Sequence, residues 1–425
     1  MKYALVQVLP DVPAGGVCAG IDWATAGHVA CVVDMAGRVT GRFTVIHDRA
    51  GIALLIGRLR EAGAAEIAIE RGDGVLVRSL LDAGLTVVVI SPRQVRHLRL
   101  RYGSSGAKDD HFDAYVLADT LRTDRARLRP LEPDAPATIA LRSAVRARRD
   151  LVAHRAAACN RLRAHLDLVF PGAIGLFCRL DSPISLAFLA RFSTQQAADA
   201  LGEQQLTAWL KTIPNRGKTA PASVLCGRLQ AAARGATGPE GAAQAAVTAA
   251  LTATVTTLAA QARALEDEIS RQLAAHPDAP VFTSLPRTGT LRAARLLAEI
   301  GDCRARYPDP GSLAALAGIT PVTRQSGKHQ GHSFRWAVNR ELRDAFCDFA
   351  DGSRHASPWA ATIYADARDR GKDHPHAIRI TARAWSYIIW RCWQERTPYD
   401  PAKHTALQRI LDQHNSTTAG PEHTR

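Results

Sequence analysis

The sequence predicts an α/β domain at its N-terminal end and a mainly α-helical remainder. Three observations carry that prediction. Short apolar runs broken by Gly-containing turns fill residues 17–46. Alternating helix and strand patterns follow as far as residue 122. Two long stretches, 137–168 and 242–275, then read as helices far longer than any before them.

Residues 1–16 read as an extension. The apolar runs 17–24, 28–34 and 38–46 are separated by Ala26-Gly27 and Ala36-Gly37. Runs that short, joined by tight turns, form an antiparallel meander. Helical periodicity covers 49–62, a strand 65–71, a helix 75–83 and a β-branched strand 86–90; helices 92–101 and 109–122 close the unit. The order βββαβαβα is the ribonuclease-H-like plan, ending near residue 130.

Four acids stand at element ends in this plan. Asp22 lies near the end of the first strand, in Cys18-Ala19-Gly20-Ile21-Asp22. Glu70 ends the strand Glu66-Ile67-Ala68-Ile69-Glu70, where alternation puts 66, 68 and 70 on one face. Asp110 and Asp113 open a helix, and their i, i+3 spacing puts them on one side of it. A close carboxylate pair costs about 1 kcal/mol in water and about 4 kcal/mol near a protein surface. A hard cation such as Mg2+ (or Mn2+) removes that cost by taking oxygen ligands. Two such ions about 4 Å apart hold the attacking and leaving oxygens of a phosphodiester in line. The competing reading is four solvated surface acids. Asp73, in Arg71-Gly72-Asp73-Gly74, is a possible fifth acid, with a turn residue as the plainer reading.

Past a Pro- and Arg-rich boundary at 123–136, a helical region is expected over 137–275. Within it, 142–163 carries seven Arg against Asp150 alone. Such a density suits a phosphate backbone, with Arg142, Arg146 and Arg149 as contacts. The stretch 242–275 is long enough to pair with 137–168 as a helical hairpin. A third unit spans 278–398. Its segment Ser284–Thr290 leads into the helix Leu291–Ile300, similar to a helix–hairpin–helix with Arg287 at the usual first turn glycine. Ser326 follows in Arg324-Gln325-Ser326-Gly327-Lys328, where a flexible Gly and two cations suit an exposed nucleophile held against a phosphate. His329 and His332 are nearby candidates for proton handling. Arg93 and Arg96, with Arg99 and Arg101, make a basic helix beside the acids. Residues 401–425 read as a frayed tail.

The 425 residues carry a formal net charge of +14. That balance points to a polyanionic partner, most simply nucleic acid. The eight Cys are scattered with no C-x-x-C, which excludes a zinc ribbon and suits reduced thiols in a cytoplasmic protein. No signal peptide or fully apolar membrane-length run is read.

The chain resembles transposases of the bacterial insertion sequence one-ten family, whose relatives include the Piv DNA invertases. The residues that carry the resemblance are Gly20-Ile21-Asp22, Ile69-Glu70, Lys108-x-Asp110-x-x-Asp113-Ala114, Leu297–Asp302, Leu316–Pro321 and Gln325-Ser326-Gly327-Lys328. The resemblance implies a RuvC-like DEDD domain over 17–130, a coiled-coil insertion within 137–275, and a C-terminal transposase domain over 278–398. It implies metal ligation by Asp22, Glu70, Asp110 and Asp113, and a phosphoserine link to DNA at Ser326. Asp109 competes with Asp110 for the third place, and the D-x-x-D-A alignment favours Asp110. The resemblance also implies DNA as substrate, an element-encoded guide RNA and a homo-oligomer, dimer or tetramer, in a bacterial cytoplasm near the nucleoid. Three other functions compete: a metal-dependent structure-specific nuclease that uses water, an actin-like-fold ATP-dependent kinase, and a non-catalytic nucleic-acid-binding protein. The kinase needs a second Asp-x-Gly phosphate loop and a Gly-rich adenosine site, and neither is convincingly placed.

Overall fold

The structure is a computed structural model that describes residues 9–102, 109–214, 219–326 and 329–418, with 326, 329 and 414–418 described by their backbone. The chain divides into two compact units. The first is Met1–Asp134 with Cys303–Pro308; the second is Ala135–Asp302 with Asp309–Arg425.

The first unit is built on a five-stranded sheet in the order β3-β2-β1-β4-β5. Its strands are β1 (Val17–Trp23), β2 (Gly27–Asp34), β3 (Val39–Ile46), β4 (Glu66–Ile69) and β5 (Thr86–Val89). The first three form the expected antiparallel meander, and β4 and β5 add in parallel beside β1. The helices are α1 (Arg49–Glu61), α2 (Val75–Asp82), α3 (Pro92–Leu98) and α4 (Asp110–Thr123), which reproduces the element order expected from the sequence.

Strict alternation sorts the strand residues onto two faces. Ile21, Val32, Ile67 and Ile69 pack with Leu55, Leu59, Leu76 and Leu80 of α1 and α2. Cys18, Val33, Ala68 and Val88 pack with Val95 of α3 and Leu117 and Leu121 of α4. Each fully buried Leu or Ile contributes about 1.5–3 kcal/mol, so both sheet faces hold their helices firmly. A buried ion pair sits at the start of β4: Arg125 donates to Glu66 and to the carbonyl of Pro10, the latter at 2.8 Å, tying the N-terminal segment to the sheet.

The second unit is helical apart from one hairpin. Its first long helix, α5 (Pro136–Val169), is followed by α6 (Pro183–Arg191), α7 (Gln195–Asp199), α8 (Glu203–Thr212) and α9 (Ala222–Ala231), and then by the second long helix, α10 (Gly238–Ala275). Thr138 bonds His276, Arg148 pairs with Glu266 and His165 bonds Thr248. Partner numbers fall along one helix as they rise along the other, so α5 and α10 run antiparallel, as the lengths of the two stretches suggested. Phe170, Phe188 and Trp209 centre the apolar cluster at the far end of that pair. The uncharged stretch 241–262 makes α10 long and apolar enough to cross a membrane by length and composition alone, which corrects the sequence expectation. Its buried Thr248 and Thr252 and its ion pair through Glu266 instead serve packing within this unit.

The C-terminal stretch contains α11 (Ala279–Thr283), α12 (Gly289–Ile300), α13 (Pro310–Leu316), β6 (Val322–Ser326), β7 (His329–Ser333), α14 (Arg340–Ser353), α15 (Pro358–Asp369), α16 (His374–Glu395) and α17 (Thr405–Thr418). Arg287 takes φ 55°, a left-handed conformation that glycine adopts more readily, at the turn position where the helix–hairpin–helix pattern places Gly. Trp385 and Trp393 are fully buried and satisfied, their indoles donating to Ser353 Oγ and the Gly301 carbonyl, both at 2.8 Å. Residues 401–418 are not the frayed tail the sequence suggested. The ring of His404 packs edge-on against Trp359 at 4.5 Å and Leu407 is buried, which anchors a 3-10 turn and α17.

Candidate metal centre

The site begins with a glycine. Cys18, Gly20 and Asp22 alternate on the face of β1 that meets α4. A Cβ at Gly20 would stand 2.2 Å from the carbonyl oxygen of Ala114 and 2.4 Å from the amide of Ala118. The helix therefore rests on the strand backbone to backbone, and no other residue fits there. Two residues further along β1 is Asp22, and one helical turn before Ala114 is Asp110.

This close approach brings three acids together. Carboxylate oxygens of Asp22, Asp110 and Asp113 lie within 4.8 Å of one another. Asp110 is exposed, Asp22 half-buried and Asp113 buried. Both helical acids occupy the first turn of α4, where the helix dipole favours negative charge. Asp109, the competitor for the third place, is the N-cap: its carboxylate accepts the amide of His111 at 3.2 Å.

Three like charges at that spacing repel, and one cation already offsets part of the cost. Arg99, in the 3-10 turn after α3, makes a two-pronged ion pair with Asp113. A further acid of α4, Asp119, is held by the Tyr102 hydroxyl and the guanidinium of Arg122. Burial and that carboxylate push the Tyr102 phenol well above its ordinary pKa. The donor set at the site is three carboxylates, all hard oxygen donors, which fits a divalent ion of the Mg2+ or Mn2+ kind in competition with Arg99 for Asp113.

Glu70 is not one of the three. It follows the last residue of β4, Ile69, whose register partner is Ile21, so its backbone continues beside that of Asp22. It lies one residue beyond the β1–β4 ladder. Asp73, the possible fifth acid, is exposed and paired with Arg71 at 2.9 Å, and Arg71 also covers the ring of Trp23 at 4.6 Å.

The cationic candidates divide. Arg93 and Arg96 are exposed on α3. Arg324 is exposed on β6, opposite Gly331 of β7. Ser326 ends β6, paired through its backbone with His329; its side chain and Lys328 lie outside the described residues. Arg142 donates to the Ala298 carbonyl at 2.6 Å, Arg146 clamps both oxygens of buried Glu299, and Arg149 pairs with Asp150 and Glu341. All three make contacts within the second unit, with Arg146 and Arg149 still partly exposed. The sequence reading also passed over the pairing of Arg99 with Asp113, although Arg99 is the only arginine on that basic helix so placed among the described residues.

Comparisons with known proteins agree with this geometry. A family model of DEDD type described as "Transposase" matches residues 19–171, and a second, "Transposase IS116/IS110/IS902 family", matches 279–365. The IS117 mini-circle protein of Streptomyces coelicolor is 32% identical over 401 residues, 90% of this chain and 95% of the relative. An insertion element IS116 protein of Streptomyces clavuligerus is 29% identical, over 91% of this chain and 98% of its own length. An insertion element IS900 protein of Mycobacterium paratuberculosis is 29% identical, over 92% and 98%. The chain belongs to the IS110/IS116 family of insertion-element transposases.

Proposed function

We propose that this chain is a metal-dependent DNA recombinase that moves an insertion sequence by serine-mediated strand cleavage and exchange. One observation carries the reading: the carboxylates of Asp22, Asp110 and Asp113 converge within 4.8 Å in a chain of a transposase family. The strand order and the α4 packing suit a RuvC-like, ribonuclease-H-like domain over 17–130. Asp22, Asp110 and Asp113, with Glu70, would hold Mg2+ (or Mn2+), which when bound supplies Lewis-acid polarisation of a phosphodiester.

The remaining chemistry belongs to the protein. The Ser326 hydroxyl attacks the phosphorus of a DNA strand; one P–O ester bond breaks as the P–Oγ bond forms, and the departing strand hydroxyl takes up the proton released from the serine. The covalent joint conserves the ester bond, so a second strand hydroxyl rejoins DNA without ATP. Arg324 and Lys328 steady the phosphate, and Arg93 and Arg96 track the backbone of DNA or of a guide RNA. The acids come from the first unit and the serine from the second, and the family resemblance has different copies in a homo-oligomer supply them.

Excision and circle-junction formation in cells tests this, using the gene with its native flanking DNA. Wild type is expected to form junctions; Ser326→Ala and Asp22→Ala are expected to form none. Junctions from Ser326→Ala with none from Asp22→Ala would replace the serine mechanism by hydrolysis with water. That second reading draws on the same acid cluster, which requires no serine.

A further inference from the structure

We infer that a cleft beside the β6–β7 hairpin binds an unpaired nucleotide of a DNA strand, its phosphate on Arg335, Arg379 and Arg383 and its base on Trp336. The cleft of about 490 Å³ lies within the second unit, and its size falls in the range of small-ligand sites. Its walls are 318–321, 332–335 and one face of α16 with the residues just before it. Lys372, His376, Arg379 and Arg383 recur at helical spacing and all line it. No Asp or Glu lines it among the described residues. Arg335, Lys372, Arg379 and Arg383 have no carboxylate partner among the described residues.

Two buried atoms at the cleft wait for an acceptor or donor. Arg335 Nε and Ser333 Oγ are shielded from solvent and have no hydrogen-bond partner among the described residues. Leaving such groups unsatisfied costs about 1–3 kcal/mol each. A small side-chain shift that opens them to the cleft would let a phosphate oxygen accept from both. This is the chemistry of an anion site, and the concentration of Arg favours forked contact with phosphate.

The aromatic part makes the ligand a nucleotide. Phe334 is held between Arg379 at 4.9 Å and Arg343 at 5.6 Å. Trp336 packs edge-on against Phe334 at 4.9 Å and is 75% exposed. An indole held beside a second ring and largely exposed is a stacking platform, and stacking needs a base freed from its pair. The strand is assigned as DNA because of the hairpin. His332 lies opposite Thr323 in the register, three residues before Ser326, or roughly 10 Å at 3.3 Å per residue. A nucleotide in the cleft is therefore within a few nucleotides of the phosphate the serine would attack. That last step rests on the serine reading proposed above.

The test uses the full chain carrying Ser326→Ala, so that binding is read without strand exchange. Intrinsic tryptophan fluorescence and the anisotropy of labelled probes are followed with single-stranded DNA, a gapped duplex, a blunt duplex and single-stranded RNA. Single-stranded and gapped DNA are expected to quench fluorescence, and Trp336→Phe is expected to remove that quenching while keeping affinity. Trp336→Ala is expected to weaken the unpaired probes roughly 5- to 100-fold and to spare the blunt duplex. Arg379→Gln with Arg383→Gln is expected to lower the salt slope on single strands by roughly 0.7 for each phosphate left unneutralised. Quenching that survives in Trp336→Phe, equal weakening on blunt duplex, an unchanged salt slope, or tighter binding of RNA than DNA would each overturn the inference. A chain that never recombines in cells yet shows this quenching keeps the cleft and loses only the serine mechanism.

Discussion

Two helices of the second unit, α5 and α16, are both rich in arginine, and parts of them use it in opposite ways. On α5 three guanidinium groups meet acids, Arg146 with Glu299, Arg148 with Glu266 and Arg149 with Glu341, while Arg161 and Arg163 are exposed. On α16, Arg379 and Arg383 face a cleft without a carboxylate among the described residues. Local sequence suggests the reverse, because 142–163 is far denser in Arg than 372–383. Cation density along a chain does not by itself say which cations are left unpaired. On the cleft reading proposed above, the sign that counts is the absence of carboxylates on the elements packed opposite.

Substitutions can break or sharpen that contrast. The largest effect is expected from Arg146→Ala, which strands the buried carboxylate of Glu299, whose side chain is 3% exposed. Thermal or urea unfolding should show a loss of about 1–3 kcal/mol, with the DNA salt slope unchanged. A slope lower by about 0.9 at unaltered stability would return α5 to the phosphate interface. Arg99→Gln comes next, since Arg99 is paired yet its partner Asp113 belongs to the candidate metal centre. Without divalent ions the variant should lose about 1–2 kcal/mol. Added Mn2+ should then raise its melting temperature by more than it raises that of the wild type. An equal or smaller shift would mean that Arg99 and a metal do not compete for that carboxylate. Arg148→Ala should cost least, about 0.2–1 kcal/mol, because its pair with Glu266 is partly solvated. A larger loss there would show that the α5–α10 pairing depends on that ion pair.

Much of the first unit was legible because its signals are local. Alternation in β1 and β4 fixed which residues share a face, and the i, i+3 spacing of Asp110 and Asp113 fixed their common side of α4. The N-cap role of Asp109 was equally local, since an Asp before a helix commonly accepts an early amide. What escaped depends on distant partners. Arg146 and Glu299 are 153 residues apart, and nothing near Arg146 announces the acid. The order of 401–418 comes from His404 meeting Trp359 and Trp385, an aromatic cluster assembled from three stretches of chain. The segment Cys303–Pro308 leaves its neighbours in sequence to join the first unit, where Arg306 pairs with Asp134 at 3.0 Å. Glu70 looked equivalent to Asp22 by pattern, but β4 ends at Ile69, and the ladder that positions one acid stops short of the other.

The contact at Gly20 sets how freely this domain tolerates mutational drift. Because α4 touches β1 chiefly through main-chain atoms, with the Leu117 Cβ beside them, the gap between Asp22 and the helical acids is gauged mainly by two backbones. Apolar residues elsewhere in the core can exchange for others of similar volume without resetting that gauge. Position 20 has no such latitude: even the single methyl of alanine would wedge the helix off the strand and part the carboxylates. One hydrogen atom in place of a side chain is thus the spacer to which the whole centre is built.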